Sequence, residues 1–115
     1  MGSQRLSEKD VLASTASFDN REFILTRRGW RHAVDRHPEL RDKIADVLLT
    51  IERPDEAYMD PRGRVHVLRR IRSGPSEHLV VVVTRGLPKS YLLTSHFMGE
   101  HRKRRRYRGW RKLRP

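Results

Sequence analysis

The chain has no cysteine. That excludes disulfides, thiolate zinc sites and cysteine nucleophiles, and it suits a reducing, cytoplasmic setting. It has no run of about 20 apolar residues, so no membrane-spanning helix and no membrane partner are expected. Residues 1–10 lack the apolar segment of a secretory leader. Phosphate-cradling glycine loops, an HExxH pair and a serine elbow of the GxSxG type are all missing. Among the six histidines, His32 and His37 are not spaced i, i+4, and the acidic residues near them suit a helix start better than a ligand shell. No metal and no cofactor are therefore expected.

Negative charge is scarce in one half only. Residues 1–60 hold 10 Lys/Arg and 12 Asp/Glu, whereas residues 61–115 hold 16 Lys/Arg and 2 Asp/Glu. The formal net charge of +12 thus comes from the second half. A charge serving only solubility would not segregate so sharply. Arginine dominates the excess and grips phosphates bidentately, which makes nucleic acid the leading partner. At 115 residues the chain has the length of one domain.

Residues 1–21 predict a loose or weakly helical N-terminus, with Ser7 and Asp10 at capping-box-like spacing. "EFILT" (22–26) predicts a short strand ending on Thr26, a suitable N-cap. A helix over 27–36 places Trp30, Ala33, Val34 and His37 on one face. Pro38 can open a second helix. Leu40, Ile44, Val47, Leu48 and Ile51 form its apolar stripe, and Pro54 ends it. Beyond residue 56 the period changes to two. "AYM" (57–59) is extended and "DPRG" (60–63) is a turn signal. "RVHVLRRIR" (64–72), "HLVVVVT" (78–84) and "KSYLLTSHF" (89–97) read as strands, separated by "SGPS" (73–76) and "RGLP" (85–88). Short connections favour antiparallel neighbours. The expected class is α+β: N-terminal helices packed on a small antiparallel meander. Residues 22–98 are the expected domain and 99–115 a basic C-terminal tail or helix. In that tail Tyr107 and Trp110 are interleaved with nine Lys/Arg among the last fifteen residues. It reads equally as a phosphate-tracking, base-stacking segment, a disordered tail, or a helix docked through Tyr107, Trp110 and Leu113.

Histidine, arginine and hydroxyls remain as the chemical inventory. That set suits RNA cleavage by attack of the substrate's own 2′-hydroxyl. The reaction needs a base on that hydroxyl, an acid on the leaving oxygen and cations on the phosphate. Strand parity puts Leu92, Thr94 and His96 on one face of the last strand. Parity also puts His66, Leu68, Arg70 and Arg72 opposite Val65, Val67 and Ile71, with Arg69 on the apolar side. The candidate catalytic residues are His32, His37, Arg70, Thr94 and His96. Candidate nucleic-acid contacts are Arg69, Arg72, Arg104, Arg105, Arg106, Tyr107 and Trp110. His66, His78 and His101 have no evident partner in the sequence. His32 and His37 would stand about 140° apart on one continuous helix. Pro38 disfavours helical geometry at His37, which places that residue at a junction.

"HAVDRHPEL", an apolar helix ending in "ERPDEAYMD", then "LVVVV" and "YLLTSHF", in this order, resemble the phage- and mobile-element-associated nuclease-like domains of the barnase–EndoU–colicin–RelE (BECR) superfamily. The resemblance covers residues 22–97. His32 matches the family's first histidine, and Arg36, His37 and Pro38 match the segment after it. Thr94 matches the threonine of the closing strand. Ser95 and His96 depart from the family's alanine and aromatic residue there. The resemblance implies helices on a small sheet and a metal-independent, toxin-like endoribonuclease. It implies RNA such as tRNA as substrate and an acidic cognate inhibitor or antitoxin as partner. The alternative is a non-catalytic RNA- or DNA-binding module, or a regulatory interaction subunit of a mobile element.

Overall fold

The computed structural model describes residues 10–72, 74–84 and 89–114. It is an α+β chain whose described residues form three α-helices and a seven-stranded mixed sheet. The strands are β1 (Val11–Ala16), β2 (Glu22–Thr26), β3 (Glu56–Met59), β4 (Val65–Arg70), β5 (His78–Val83), β6 (Lys89–Met98) and β7 (Arg111–Arg114). The helices are α1 (Arg27–Arg36), α2 (Ile44–Glu52) and α3 (Glu100–Arg106). Spatial order in the sheet is β1-β2-β6-β5-β4-β3-β7. No helix among the described residues is long and apolar enough to cross a membrane.

From β3 to β6 the chain is the expected antiparallel meander. The sheet as a whole is not antiparallel, because β2 pairs with the start of β6 in parallel, Glu22 to Lys89 through Ile24 to Tyr91. β6 is ten residues long, and β2 takes the edge of its first residues only. α1 leaves β2 at Thr26 and packs beside β6. The Thr26 hydroxyl accepts from Gly29 N–H at 3.0 Å and fixes where that helix begins.

Residues 11–16 form an edge strand rather than a loose or weakly helical segment. "VLASTA" carries little strand signal of its own. It is held by pairing with β2 and by the C-terminal end of α2: Phe18 N–H donates to Ile51 O at 3.0 Å and Thr15 to Glu52 at 2.9 Å. Most of the proposed N-terminal cap "SEKD", part of "SGPS" and all of "RGLP" lie outside the described residues.

The helix expected from Pro38 is broken in two. Pro38–Leu40 winds as a 3-10 turn and α2 begins at Ile44. Leu40, Arg41 and Lys43 donate to carbonyls three residues back, the tighter winding that a start without a proline N–H permits. The apolar stripe survives the break: Leu40, Val47 and Ile51 are buried.

One core lies between the sheet and α1, α2 and the 3-10 turn. It joins Phe23, Leu25, Trp30, Ala33, Leu40, Val47 and Ile51 to Val65, Val67, Leu79, Val81 and Val83. The other sheet face carries a smaller cluster of Tyr58, Leu68, Val80, Val82 and Met98, covered by Tyr107 and Trp110 from α3 and the turn after it. The basic tail is therefore a docked helix followed by a strand. β7 pairs with β3, and Leu113 packs on the first core.

Candidate functional site

The "DPRG" turn organises one end of the α3-covered face. Asp60 Oδ1 accepts from the N–H groups of Arg62 and Arg64, both at 2.9 Å, and Gly63 supplies the positive φ of 82°. Asp60 Oδ2 then receives the Arg64 guanidinium at 2.6 Å and His66 Nε2 at 3.0 Å. Burial works against the Asp60 charge. The bonds from His66, Arg64 and Arg62 outweigh it and hold the carboxyl well below its usual range. Burial also pushes His66 down, against the pull of Asp60, so its ring is neutral. An ionised Asp60 can only accept, so Nε2 carries the hydrogen and Nδ1 accepts from the Tyr107 hydroxyl at 3.0 Å. Burial raises the Tyr107 phenol to about 12. Tyr58 stacks on Tyr107 at 4.7 Å, and Trp110 meets His66 edge-on at 4.8 Å.

At the other end of the face Glu100, in the first turn of α3, takes His78 Nε2 at 2.6 Å, Arg70 at 3.3 Å and Arg104 at 2.8 Å. The bonds from His78 and Arg104 outweigh its burial and hold the carboxyl at about 2. Lys103 donates to Glu56 at 2.6 Å, and Glu56 also accepts from Tyr58. His66 and His78, without partners in the sequence reading, thus have them in the fold.

These anchors set the direction of α3. It starts over Arg70 and His78 and ends over His66, so it runs back across the face antiparallel to β6. The ladders beneath it read Arg70–His78–Met98, Leu68–Val80–His96 and His66–Val82–Thr94. Thr94 and His96 share this face, as parity predicts. Leu92 does not: a register shift at Val82/Val83 turns it into the opposite core.

His37 ends α1. Its φ of −135° and ψ of 80° are not helical, and its N–H still donates to Ala33 O. From this junction its ring reaches β6 and lies 5.8 Å from that of His96, tilted by 39°. His37 Nδ1 is also 3.7 Å from Glu39. His96 is half-buried. Burial first, then His37, Arg106 and Arg102, push it down to about 4, so it is neutral at pH 7. Arg102 and Arg106 stand one helical turn apart on α3 and share a side. Thr94 is half-buried, and its hydroxyl has no hydrogen-bond partner among the described residues. Two imidazoles thereby meet from the end of α1 and from β6, with Thr94 on the same face of β6 and the charges of Arg102 and Arg106 acting on His96 from α3.

The other candidates lie elsewhere. His32 is exposed on α1 and has no ring or hydrogen-bond partner among the described residues. Arg70 is held by Glu77 at 3.5 Å and by Glu100, one ladder away from His96. Arg69 donates to Arg53 O at 2.5 Å and caps the C-terminal end of α2, which explains an arginine on the apolar side. Arg72 is exposed beyond β4. Arg104 is tied to Glu100, whereas Arg105 is exposed. Tyr107 is 5% exposed and belongs to the core, so it offers no face to a base; Trp110 is half-buried, with Arg106 over its ring at 5.9 Å. Arg102 was not among the sequence candidates. The i, i+4 spacing of Arg102 and Arg106 was visible, but not the fold-back that sets them beside β6.

Among the described residues, no group of three or more His, Asp or Glu stands where it could hold a metal ion. Compared with models of known protein families, with curated proteins and with solved structures, the chain matches none.

Proposed function

We propose that the protein is a metal-independent endoribonuclease, BECR-like in fold and toxin-like in use, acting in the cytoplasm on RNA such as tRNA. The observation that carries this reading is the approach of His37 to His96, 5.8 Å between rings, beside the cations of α3. In this reading the scissile phosphate sits between the imidazoles and the pair Arg102 and Arg106. His96 is neutral and accepts the proton of the 2′-hydroxyl. That oxygen attacks phosphorus and the bond to the 5′-oxygen breaks. His37, facing Glu39, delivers a proton to the leaving oxygen. Arg102, Arg106 and the Thr94 hydroxyl take the charge that builds on the phosphate oxygens. The product ends are a 2′,3′-cyclic phosphate and a 5′-hydroxyl. His32 then has no chemical role, and Arg70 serves to hold α3. An acidic inhibitor protein, as such toxins require, would meet the same basic surface.

The test is incubation of the purified protein with tRNA and mRNA in EDTA, with end analysis of the products. Cyclic phosphate ends that disappear in His96→Ala and His37→Ala support the reading. Intact RNA with the wild-type protein sinks it, and leaves a module that binds nucleic acid without cutting it.

A further inference from the structure

α3 has seven residues, five of them Lys or Arg. Like charges three and four apart on a helix repel. On one side the repulsion is relieved by carboxylates: Lys103 bonds Glu56 and Arg104 bonds Glu100. On the other side it is not. Among the described residues Arg102, Arg105 and Arg106 have no carboxylate partner, and with His101 they line a shallow groove of about 510 Å³. Two rows result. Arg102 and Arg106 form the row whose charges act on His96; His101 and Arg105 form the adjacent row, also one helical turn apart.

We infer that His101 and Arg105 form a second phosphate subsite, which holds the polynucleotide backbone next to the phosphodiester at the imidazole pair. Its place beside a scissile bond rests on the ribonuclease reading; its affinity for polynucleotide does not. Adjacent rows of N–H donors can take successive phosphates of one strand, and arginine binds phosphate through two parallel N–H bonds. Such a subsite reads backbone, not base or sugar, so DNA fits it as well as RNA.

The experiment uses His101→Gln/Arg105→Gln, with Arg104→Gln as control. Binding is measured by fluorescence anisotropy with a single-stranded 2′-O-methyl RNA, which has no free 2′-hydroxyl, and with DNA of the same sequence. The double variant should bind both about tenfold more weakly, with a salt dependence shallower by about 0.7 per lost phosphate contact, while Arg104→Gln stays within about twofold. On cleavable RNA its KM should rise with kcat unchanged, and a dinucleotide should be cut as by the wild type. Unchanged oligonucleotide affinity in the double variant, or an equal loss in Arg104→Gln, overturns the subsite. So does tighter binding of poly-glutamate than of oligonucleotide, which would assign the groove to an acidic protein. If the double variant binds as predicted but the wild type leaves RNA intact, the ribonuclease reading falls and the subsite stands. If the double variant cleaves long RNA with unchanged KM, the subsite falls and the ribonuclease reading stands.

Discussion

The two faces of the sheet are closed by different means. Under α1 and α2 the buried side chains are almost wholly apolar, and Phe23, Leu25, Leu40, Val47 and Leu79 are each 0% exposed. Under α3 the apolar cluster is small, and two buried histidines sit among it, His66 on Asp60 and Tyr107 and His78 on Glu100. Apolar burial is indifferent to pH, whereas these bonds depend on ionised carboxylates. A helix this rich in arginine has little apolar surface with which to dock, so it docks through charge. The same charge leaves one of its sides available beside His96. The larger apolar core therefore lies on one face, and the candidate chemistry on the rim of the other.

The two tryptophans allow the faces to be followed separately, since Trp30 belongs to the first core and Trp110 packs on the second cluster. Leu79→Ala should have the largest effect. It empties a fully buried site in the central strand β5 and should cost about 3–4 kcal/mol. In denaturant, the fluorescence of single-tryptophan backgrounds should then shift alike for Trp30 and Trp110. His66→Ala should cost less, about 2–3 kcal/mol, by leaving the proton of the Tyr107 hydroxyl without an acceptor and part of Asp60 unpaired in a buried place. Here the Trp110 signal should move first. Coincident transitions in this variant would mean that the two faces are one cooperative unit.

Smaller again is the effect of Glu100→Gln. Its carboxyl stands at about 2, against 4.5 for the ordinary group. A depressed carboxyl contributes stability that is complete above 4.5 and lost as pH falls towards 2. Glu100 is 26% exposed, so its bonds to exposed Arg70 and Arg104 contribute little, and the bond to buried His78 carries most of the effect. The variant should lose about 1–2 kcal/mol at neutral pH. Its acid unfolding, followed at Trp110, should be flatter than the wild type below 4.5.

The legibility of the sequence divides along the same line. Thr26 as a cap, the "DPRG" turn, the apolar stripe from Leu40 to Ile51 and the run of valines in β5 are local signals, and each falls where its period or chemistry puts it. β1 has no such signal, because its pairing and the end of α2 make it a strand. The register shift before Thr94 moves Leu92 to the other core, and nothing in an alternating pattern marks it. Parity grouped His66, Arg70, Thr94 and His96 on one face but could not say which of them α3 would engage. That depended on Glu100 and Tyr107, which lie beyond β6 in the chain. The neighbourhood of His37 and His96 is likewise non-local: α1 must pack beside β6 before the junction at Pro38 can face it.

The least costly changes to the fold are the ones that discriminate best between the histidines. His96 is half-buried without a hydrogen-bond partner among the described residues, so His96→Ala should change stability at pH 7 by about 1 kcal/mol or less. Its pKa lies at about 4 in the fold against an ordinary 6.5, so an unfolded chain takes up the proton first and stability falls as pH drops from 6.5 towards 4. His96→Ala removes that term, and in this window the variant should lose less stability than the wild type. On the proposed reading the same substitution lowers cleavage by about 10²–10⁴. Wild-type cleavage should rise as pH passes upward through about 4, as His96 becomes able to accept a proton. His37→Ala should lose cleavage similarly but only weaken the acid slope due to His96, because burial, the first cause of that slope, remains. His32→Ala, on the exposed side of α1, should alter neither stability nor rate. If His32→Ala abolishes cleavage while His96→Ala spares it, the chemistry lies on the outer side of α1, and the imidazole pair at β6 is only a packing contact.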